Sequence, residues 1–323
     1  MLSKITKILR RVLAVILTLL IVMCIVGQVR KYIERNDVKP LGTLVEVDGK
    51  KIHVYSEGEG KKTIVLMPGL GSTAPSVDFK PLINELKNDF KVVVVEPFGY
   101  GFSDETSKER SVENIVGETR MALKKAKIEG PYILMPHSIS GVYAEYYAAV
   151  YPKEVEAIVM LDTTLVKASL EESDKVDLSI GKKQFMLAAV ENFLGVDRMY
   201  YNSIYKDEKC FSQSDKKDLV KMGVQNPFNK TMENEVTMIL KNCETVNKTK
   251  MPKDLPILKF ISIKSMKDIN NVKYTNIINK NLEEFKEYTK FCYFPLEGGH
   301  YIYYTKSKDI GKETREFLSK YSN

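Results

Sequence analysis

The chain has 323 residues, of which 44% are hydrophobic and 28% charged, and this length allows one large domain or two smaller ones. Its net charge of +7 is concentrated in residues 1–40, which hold eight Lys or Arg against two Asp or Glu, whereas the remainder holds 41 against 40. A body with nearly balanced charge argues against nucleic-acid binding, which requires a basic face on the folded domain.

An uncharged run of 18 residues, Val12–Val29, is just long enough to cross a bilayer. The charged residues before the run are all basic, whereas those after it include acidic as well as basic residues. The positive-inside rule therefore favours a cytoplasmic N-terminus and an extracellular body. The alternative is a cleaved signal peptide, but the run is long for one and no A-x-A-like site follows. We therefore predict a single-pass membrane anchor with a tether over residues 1–40, followed by a folded domain over 41–323.

Two alternating runs around Asp48-Gly49 predict a β-hairpin, in which His53 is expected to lie at a surface or an edge. Continuous apolar runs separated by helical patterns then predict a parallel sheet flanked by helices. The predicted buried strands are Thr63–Met67, Lys91–Val95, Tyr132–Met135, Val155–Leu161, Leu255–Ile263 and Phe291–Phe294. Between about 163 and 250 the strand pattern stops, which predicts a helical cap over the end of the sheet where ligands of open α/β sheets bind.

The segment from Pro131 to Tyr147 predicts a strand, an abrupt turn with Ser138 at its tip, and a helix. This is the layout of a nucleophile elbow, in which a strained turn lifts a serine hydroxyl clear of the sheet. The following helix directs its N-terminus at the site and favours negative charge that develops there.

Four short motifs, each just after a predicted strand, resemble those of the α/β-hydrolase superfamily across roughly residues 43–320. The four segments are Pro68-Gly69-Leu70-Gly71-Ser72, Pro97-Phe98-Gly99-Tyr100-Gly101-Phe102-Ser103, Pro136-His137-Ser138-Ile139-Ser140-Gly141 and Gly298-Gly299-His300. They are similar to the family's oxyanion loop, R-G-x-G-x-S loop, G-H-S-x-G-G elbow and late G-x-G-H. Pro68, Pro136 and Ser140 replace the residues usual at their positions. The resemblance implies an α/β-hydrolase fold with an inserted helical cap.

The resemblance implies that Ser138 is the nucleophile, with the backbone N–H groups of Leu70 and Ile139 as the oxyanion hole. His300 is the expected general base, because His53 lies in the hairpin and His137 adjoins the nucleophile and points elsewhere. A serine nucleophile argues against the haloalkane dehalogenase and epoxide hydrolase branches of the family, which carry Asp there.

The acid of the triad has two candidates. The family usually places it a few residues past the strand at Leu255–Ile263, but Ser265 occupies that slot and Asp268 lies three residues later. Asp162, at the end of the preceding strand, is where some family members carry their acid. We favour Asp162 and keep Asp268 as the alternative.

These assignments predict a serine hydrolase that cleaves a small-molecule carboxylic ester, or an amide or thioester, through an acyl-enzyme. The resemblance implies no metal or organic cofactor, and the scattered cysteines lack the spacing of a zinc site. Two alternatives stay open: a non-catalytic ligand-binding or receptor protein on the same scaffold, and an acyltransferase.

Overall fold

A single eight-stranded sheet forms the centre of the computed structural model, which describes residues 2–175, 177–263 and 272–322. The strand order is β1-β2-β4-β3-β5-β6-β7-β8. The strands are β1 (Thr43–Val47), β2 (Lys50–Glu57), β3 (Thr63–Met67), β4 (Lys91–Glu96), β5 (Tyr132–Pro136), β6 (Val155–Leu161), β7 (Ile257–Ile263) and β8 (Phe291–Glu297).

The β1–β2 hairpin at one edge of the sheet is antiparallel and pairs antiparallel with β4, whereas β3 to β8 are parallel to one another. Its turn places Asp48 and Gly49 in the left-handed region, with φ of 51° and 74°. That conformation is why Asp-Gly predicts such turns. The predicted mostly parallel sheet is thus confirmed.

Twelve α-helices are present in the described residues, and side chains cap the starts of three of them. Ser111 caps one helix by accepting the Asn114 N–H, and Ser212 with Asp215 forms a capping box on another. The helices are α1 (Leu2–Glu34), α2 (Pro75–Asp78), α3 (Lys80–Leu86), α4 (Val112–Lys125), α5 (Ser140–Val150), α6 (Val166–Glu171), α7 (Ser179–Leu194), α8 (Asp197–Tyr205), α9 (Gln213–Gln225), α10 (Lys230–Asn247), α11 (Val272–Phe285) and α12 (Ile302–Tyr321).

Helices cover both faces of the sheet, so the inner strands are apolar on both sides. Apolar residues of α4 and α5 pack against one face, and those of α3 and α12 pack against the other. Val92–Val95 of β4, for example, is entirely buried. This two-sided burial explains the continuous apolar runs of the sequence.

The described residues between β6 and β7 form α6 to α10 together with a short 3-10 helix, Ser173–Lys175, and we call this unit the cap. One part of the cap packs on the body through a cluster in which Tyr205, Phe211 and Leu219 meet Ala74 and Val77 of the α2 segment. The cap therefore lies over the C-terminal ends of the parallel strands, where the loops of such sheets bind ligands.

Helix α1 is long and apolar enough to cross a membrane, by length and composition. Its second half lies against the cap, with Gly27 beside Gly195 and ion pairs from Glu34 to Arg198 and from Asp37 to Lys221. Helix α1 is therefore joined to the cap before the chain reaches the sheet at Thr43.

The expectation that His53 lies at a surface or an edge is wrong, because its side chain is fully buried. Its Nε2 accepts a hydrogen bond from the Gly42 N–H at 3.0 Å, and its Nδ1 lies 3.0 Å from Glu96 Oε2, out of line for a hydrogen bond. Burial of this polar pair was hidden in the sequence because an alternating strand does not reveal which loops cover it.

Candidate active site

Ser138 stands in a strained turn between β5 and α5. Its φ of 55° lies in the left-handed region, which is unusual for a residue other than glycine. The oxyanion-type loop passes so close that a Cβ on Gly69 would lie 2.6 Å from His137 Nδ1 and 3.1 Å from Ser138 Cβ. Glycine is thus required at position 69 for this loop to cover the elbow.

Pro136 ends the central strand β5, at a point where the ladder to β6 is interrupted. The His137 N–H donates to Met67 O on β3, and the Ser138 N–H donates to Leu161 O on β6. Successive N–H groups point to opposite sides, so the Pro136 nitrogen faces β6. The β5–β6 ladder is interrupted between Leu134 and His137, which is where a proline can stand.

His300 lies between the end of β8 and the start of α12 and contacts both Ser138 and Asp162. Its Nε2 is 2.9 Å from Ser138 Oγ, and its Nδ1 is 2.7 Å from Asp162 Oδ2. The imidazole is about half exposed, at 49%, so water reaches it. The structure thus brings together three residues that the sequence analysis singled out from three separate loops.

Asp162 is held as an acceptor by Ser262 at the end of β7. The Ser262 N–H donates to Oδ1 at 2.9 Å, and the Ser262 hydroxyl donates to Oδ2 at 2.7 Å. Burial opposes ionisation of this carboxyl, but the hydrogen bonds from His300 and Ser262 outweigh it and lower the pKa of Asp162 below its ordinary value. The carboxylate is therefore ionised at neutral pH. The alternative acid, Asp268, lies outside the described residues.

Ser262 has a role that the sequence analysis missed. It is a lone hydroxyl residue in an otherwise apolar stretch, Leu258 to Ile263, apart from the buried Lys259. The available signal was a polar side chain near the end of a buried strand, beside the strand that Asp162 follows. The residue places a donor on each carboxylate oxygen and so fixes the orientation of the acid.

Leu70 and Ile139 each keep a free backbone donor in the described part of the chain, where neither N–H has a hydrogen-bond acceptor. Ile139 directly precedes α5, so its N–H belongs to the unpaired first turn of that helix. Gly69 touches Ser138, which puts the Leu70 segment beside the same hydroxyl. These donors are available to an oxyanion formed at Ser138.

Ser140, which departs from the family's glycine, joins the elbow to the loop above it. Its hydroxyl donates to Pro68 O at 2.5 Å, and both residues are buried. Replacing Ser140 by alanine should lower kcat by about fivefold with little change in KM, since a net hydrogen bond of about 1 kcal/mol holds the loop in place. The measurement is steady-state hydrolysis beside Ser319→Ala, which removes an exposed hydroxyl of α12. An unchanged kcat in Ser140→Ala would show that the loop keeps its position unaided.

His137 is buried beside His300 and stays neutral. Its Nε2 donates to the His300 carbonyl oxygen at 3.0 Å, whereas its Nδ1 has no partner within the described residues. Burial, and then the nearness of His300, lower the pKa of His137 from 6.5 to about 4. The residue thus acts as a spacer that positions the loop of His300.

A pH dependence of stability follows from His137. The unfolded chain binds this proton more tightly than the folded chain, so the free energy of unfolding should rise by about 3 kcal/mol as pH rises from about 4 to 6.5. Denaturant titrations of the wild type and of His137→Gln across that range measure the difference. Equal pH slopes for the two proteins would contradict the assignment.

The loop after β4 supports the site without reaching it. Glu96 accepts hydrogen bonds from the N–H groups of Phe102 at 2.7 Å and Ser76 at 3.1 Å, and the Ser103 hydroxyl donates to Glu96 O at 2.6 Å. The left-handed Gly101 leaves room for the Glu96 carboxylate, because a Cβ there would lie 2.0 Å from it. The loop that resembles the family's R-G-x-G-x-S motif is therefore a structural brace.

A cavity of about 410 Å³ adjoins Asp162 at the ends of β6 and β7. Its apolar lining includes Leu165, Ile261 and Ile277, and its floor includes the buried Lys259. The Lys259 ammonium donates to Thr163 Oγ1 at 2.8 Å, and burial lowers its pKa to about 8. The cavity gives the acid side of the site an apolar wall.

The described residues contain no group of three or more His, Cys, Asp or Glu side chains able to hold a metal ion. All four cysteines, which lie in the described part of the chain, are free thiols.

Residues 62–236, more than half of the chain, match the family model of the alpha/beta hydrolase fold. The uncharacterized protein YbdG of Bacillus subtilis strain 168 is 33% identical over 293 residues, which cover 88% of this chain and 87% of YbdG. The serine hydrolase BPHL of Homo sapiens is 32% identical over 124 residues, which cover 36% of this chain and 40% of BPHL.

Among solved structures, epoxide hydrolase VrEH1 from Vigna radiata superimposes with a TM-score of 0.67 at 16% identity, over 86% of this chain and 97% of VrEH1. At this identity the likeness shows a shared fold.

Proposed function

Because the chain belongs to the α/β-hydrolase superfamily and is a hydrolase on that scaffold, we propose that it cleaves a carboxylic ester, or an amide or thioester, through an acyl-enzyme on Ser138. The observation that supports this proposal is the pair of hydrogen bonds that connects Ser138 Oγ through His300 to Asp162. Such an arrangement converts a weakly nucleophilic hydroxyl into an active one.

In the first half of the reaction, His300 Nε2 takes the Ser138 proton as Oγ attacks the substrate carbonyl carbon. The negative oxygen of the tetrahedral intermediate is met by the Leu70 and Ile139 N–H groups. The imidazolium, stabilised by ionised Asp162, then gives its proton to the leaving alcohol, amine or thiol. In the second half, His300 activates a water that releases the acid and restores Ser138.

The side chain at position 138 separates this proposal from epoxide opening. That chemistry on this fold uses an aspartate nucleophile, whereas this elbow holds a serine whose hydroxyl is 2.9 Å from His300. The likeness to an epoxide hydrolase therefore bears on the scaffold and not on the reaction. The half-exposed imidazole favours water as the second acceptor over the acyltransferase alternative, because acyl transfer requires that water be excluded.

We also propose that α1 is an uncleaved membrane anchor with a cytoplasmic N-terminus and an extracellular catalytic domain. The apolar helix and the basic residues before it support this placement.

The full-length protein in lipid nanodiscs should react with a fluorophosphonate probe, because only an activated serine displaces its leaving group quickly. Peptide mapping should locate the adduct on Ser138, and p-nitrophenyl esters of increasing acyl length should then be hydrolysed. A folded protein that neither reacts nor hydrolyses any ester would favour the alternative of a ligand-binding protein, and ligand capture would replace the ester series.

A further inference from the structure

Helix α7 carries large apolar side chains that the structure leaves uncovered. In α7 only Gly181 is buried, and Met186, Leu187, Val190 and Phe193 follow one another along an exposed stripe. The fold of the chain itself therefore does not account for this surface.

We call Met186, Leu187, Val190 and Phe193 the apolar cap face, and their relative exposure runs from 54% to 65%. Large apolar side chains grouped in this way mark a surface that contacts another apolar phase.

Contacts with α1 define where this face lies along the axis of that helix, relative to the apolar run Val12–Val29. A Cβ on Gly27 would lie 2.7 Å from Gly195 Cα, so the two backbones touch where α7 ends. One turn earlier, Cys24 Sγ donates to Phe193 O at 2.9 Å. Cys24 lies five residues inside the end of the apolar run at Val29, which is about 7.5 Å along the helix axis.

The polar groups at this contact are arranged as an apolar surrounding requires. The last carbonyl groups of a helix have no partner within it. Here Gln28 Nε2 donates to Asn192 O at 2.7 Å and to Phe193 O at 3.2 Å, while Lys31 Nζ donates to Asn192 Oδ1 at 2.7 Å. Side chains of α1 thus satisfy the end of α7, as is required where lipid replaces water.

We propose that the apolar cap face is seated in the surface of the same bilayer that α1 spans, and that the cap is a second membrane contact of the protein. This proposal rests on the proposed anchor. A depth of about 7.5 Å agrees with the roughly 5–10 Å at which interfacial helices bury their apolar side. It gives the site access to acyl chains held in the membrane, since the cap lies over the end of the sheet that bears Ser138.

The chain contains no tryptophan, so a single introduced tryptophan reports its own surroundings. Full-length Phe193→Trp and Met186→Trp should be placed in nanodiscs made with lipids brominated near the headgroup end of the acyl chain. Emission should fall by about half relative to unbrominated lipid, because the apolar side of an interfacial helix lies roughly 5–10 Å below the headgroups.

Two matched variants complete the experiment. Val22→Trp, in the middle of α1, should be quenched by lipids brominated near the chain end, and Met121→Trp, an exposed apolar position on α4, should not be quenched at all. Fluorophosphonate labelling of each variant shows that its fold is intact.

Quenching of Val22→Trp with cap variants that emit like Met121→Trp would overturn the membrane seat of the cap and keep the anchor. Absence of quenching in Val22→Trp would overturn both proposals.

Discussion

Replacing Ser138 by alanine is expected to lower kcat for ester hydrolysis by about 10⁶ and to abolish fluorophosphonate labelling, as loss of a triad serine does elsewhere. The hydroxyl is the only group of the elbow within hydrogen-bond reach of His300 Nε2 among the described residues. Without it no covalent intermediate forms, and only binding and the oxyanion donors remain. Rates measured over long incubations at high enzyme concentration give the residual value.

The matched control is Ser203→Ala, which removes an exposed hydroxyl from α8 and should leave kcat unchanged. Alanine keeps the Cβ of Ser138 and therefore its left-handed strain, so thermal unfolding of the variant should coincide with that of the wild type. Full hydrolysis by a folded Ser138→Ala protein would refute the acyl-enzyme.

Replacing Asp162 by asparagine is expected to lower kcat by about 10⁴, the cost of holding a catalytic imidazole in the wrong tautomer. In the wild type, Oδ2 accepts the Nδ1–H of His300, which leaves the Nε2 lone pair free for the Ser138 proton. Ser262 donates to both carboxylate oxygens. In Asp162→Asn an NH₂ group replaces one of the two carboxylate oxygens. When this NH₂ group faces His300 it donates to Nδ1, so the imidazole proton lies on Nε2, which then cannot accept the Ser138 proton.

Asp268→Asn is the control for this prediction, because Asp268 is the other carboxylate near the usual slot of the family. We expect its kcat to stay within about twofold of the wild type, as for substitutions outside the reacting groups. The assignment fails if Asp268→Asn is the slow enzyme and Asp162→Asn the fast one. Burst kinetics on both variants would show whether acylation is the step affected.

The strands along the chain and the positions of Ser138 and His300 were predictable because each depends on a local pattern. Buried parallel strands have short apolar runs as their sequence pattern, and the serine and histidine lie in glycine-rich turns at the ends of such strands. The structure gives β3 and β6 the predicted bounds and extends β8 from Phe294 to Glu297. Strand ends were less predictable because hydrogen bonds with neighbours fix them.

The sequence does not identify the acid of the triad as clearly as it identifies Ser138 and His300. Asp162 acquires its place from a left-handed backbone, with φ of 46°, and from Ser262 on the neighbouring strand. The contact with Ser262 joins segments 100 residues apart, which no local pattern encodes. The same reason explains why the burial of His53 and the docking of α1 on the cap were absent from the sequence analysis.

Attachment of α1 to the cap also sets the route by which mechanical load enters the protein. With α1 held in a bilayer, a pull on the catalytic domain first strains the Glu34–Arg198 and Asp37–Lys221 ion pairs, and then the backbone hydrogen bonds of β1. The Asp37–Lys221 pair is the more exposed of the two and is worth about 0–1 kcal/mol, so it parts first. The released residues 35–42 can extend by about 27 Å, which absorbs the displacement while the catalytic sheet keeps its shape.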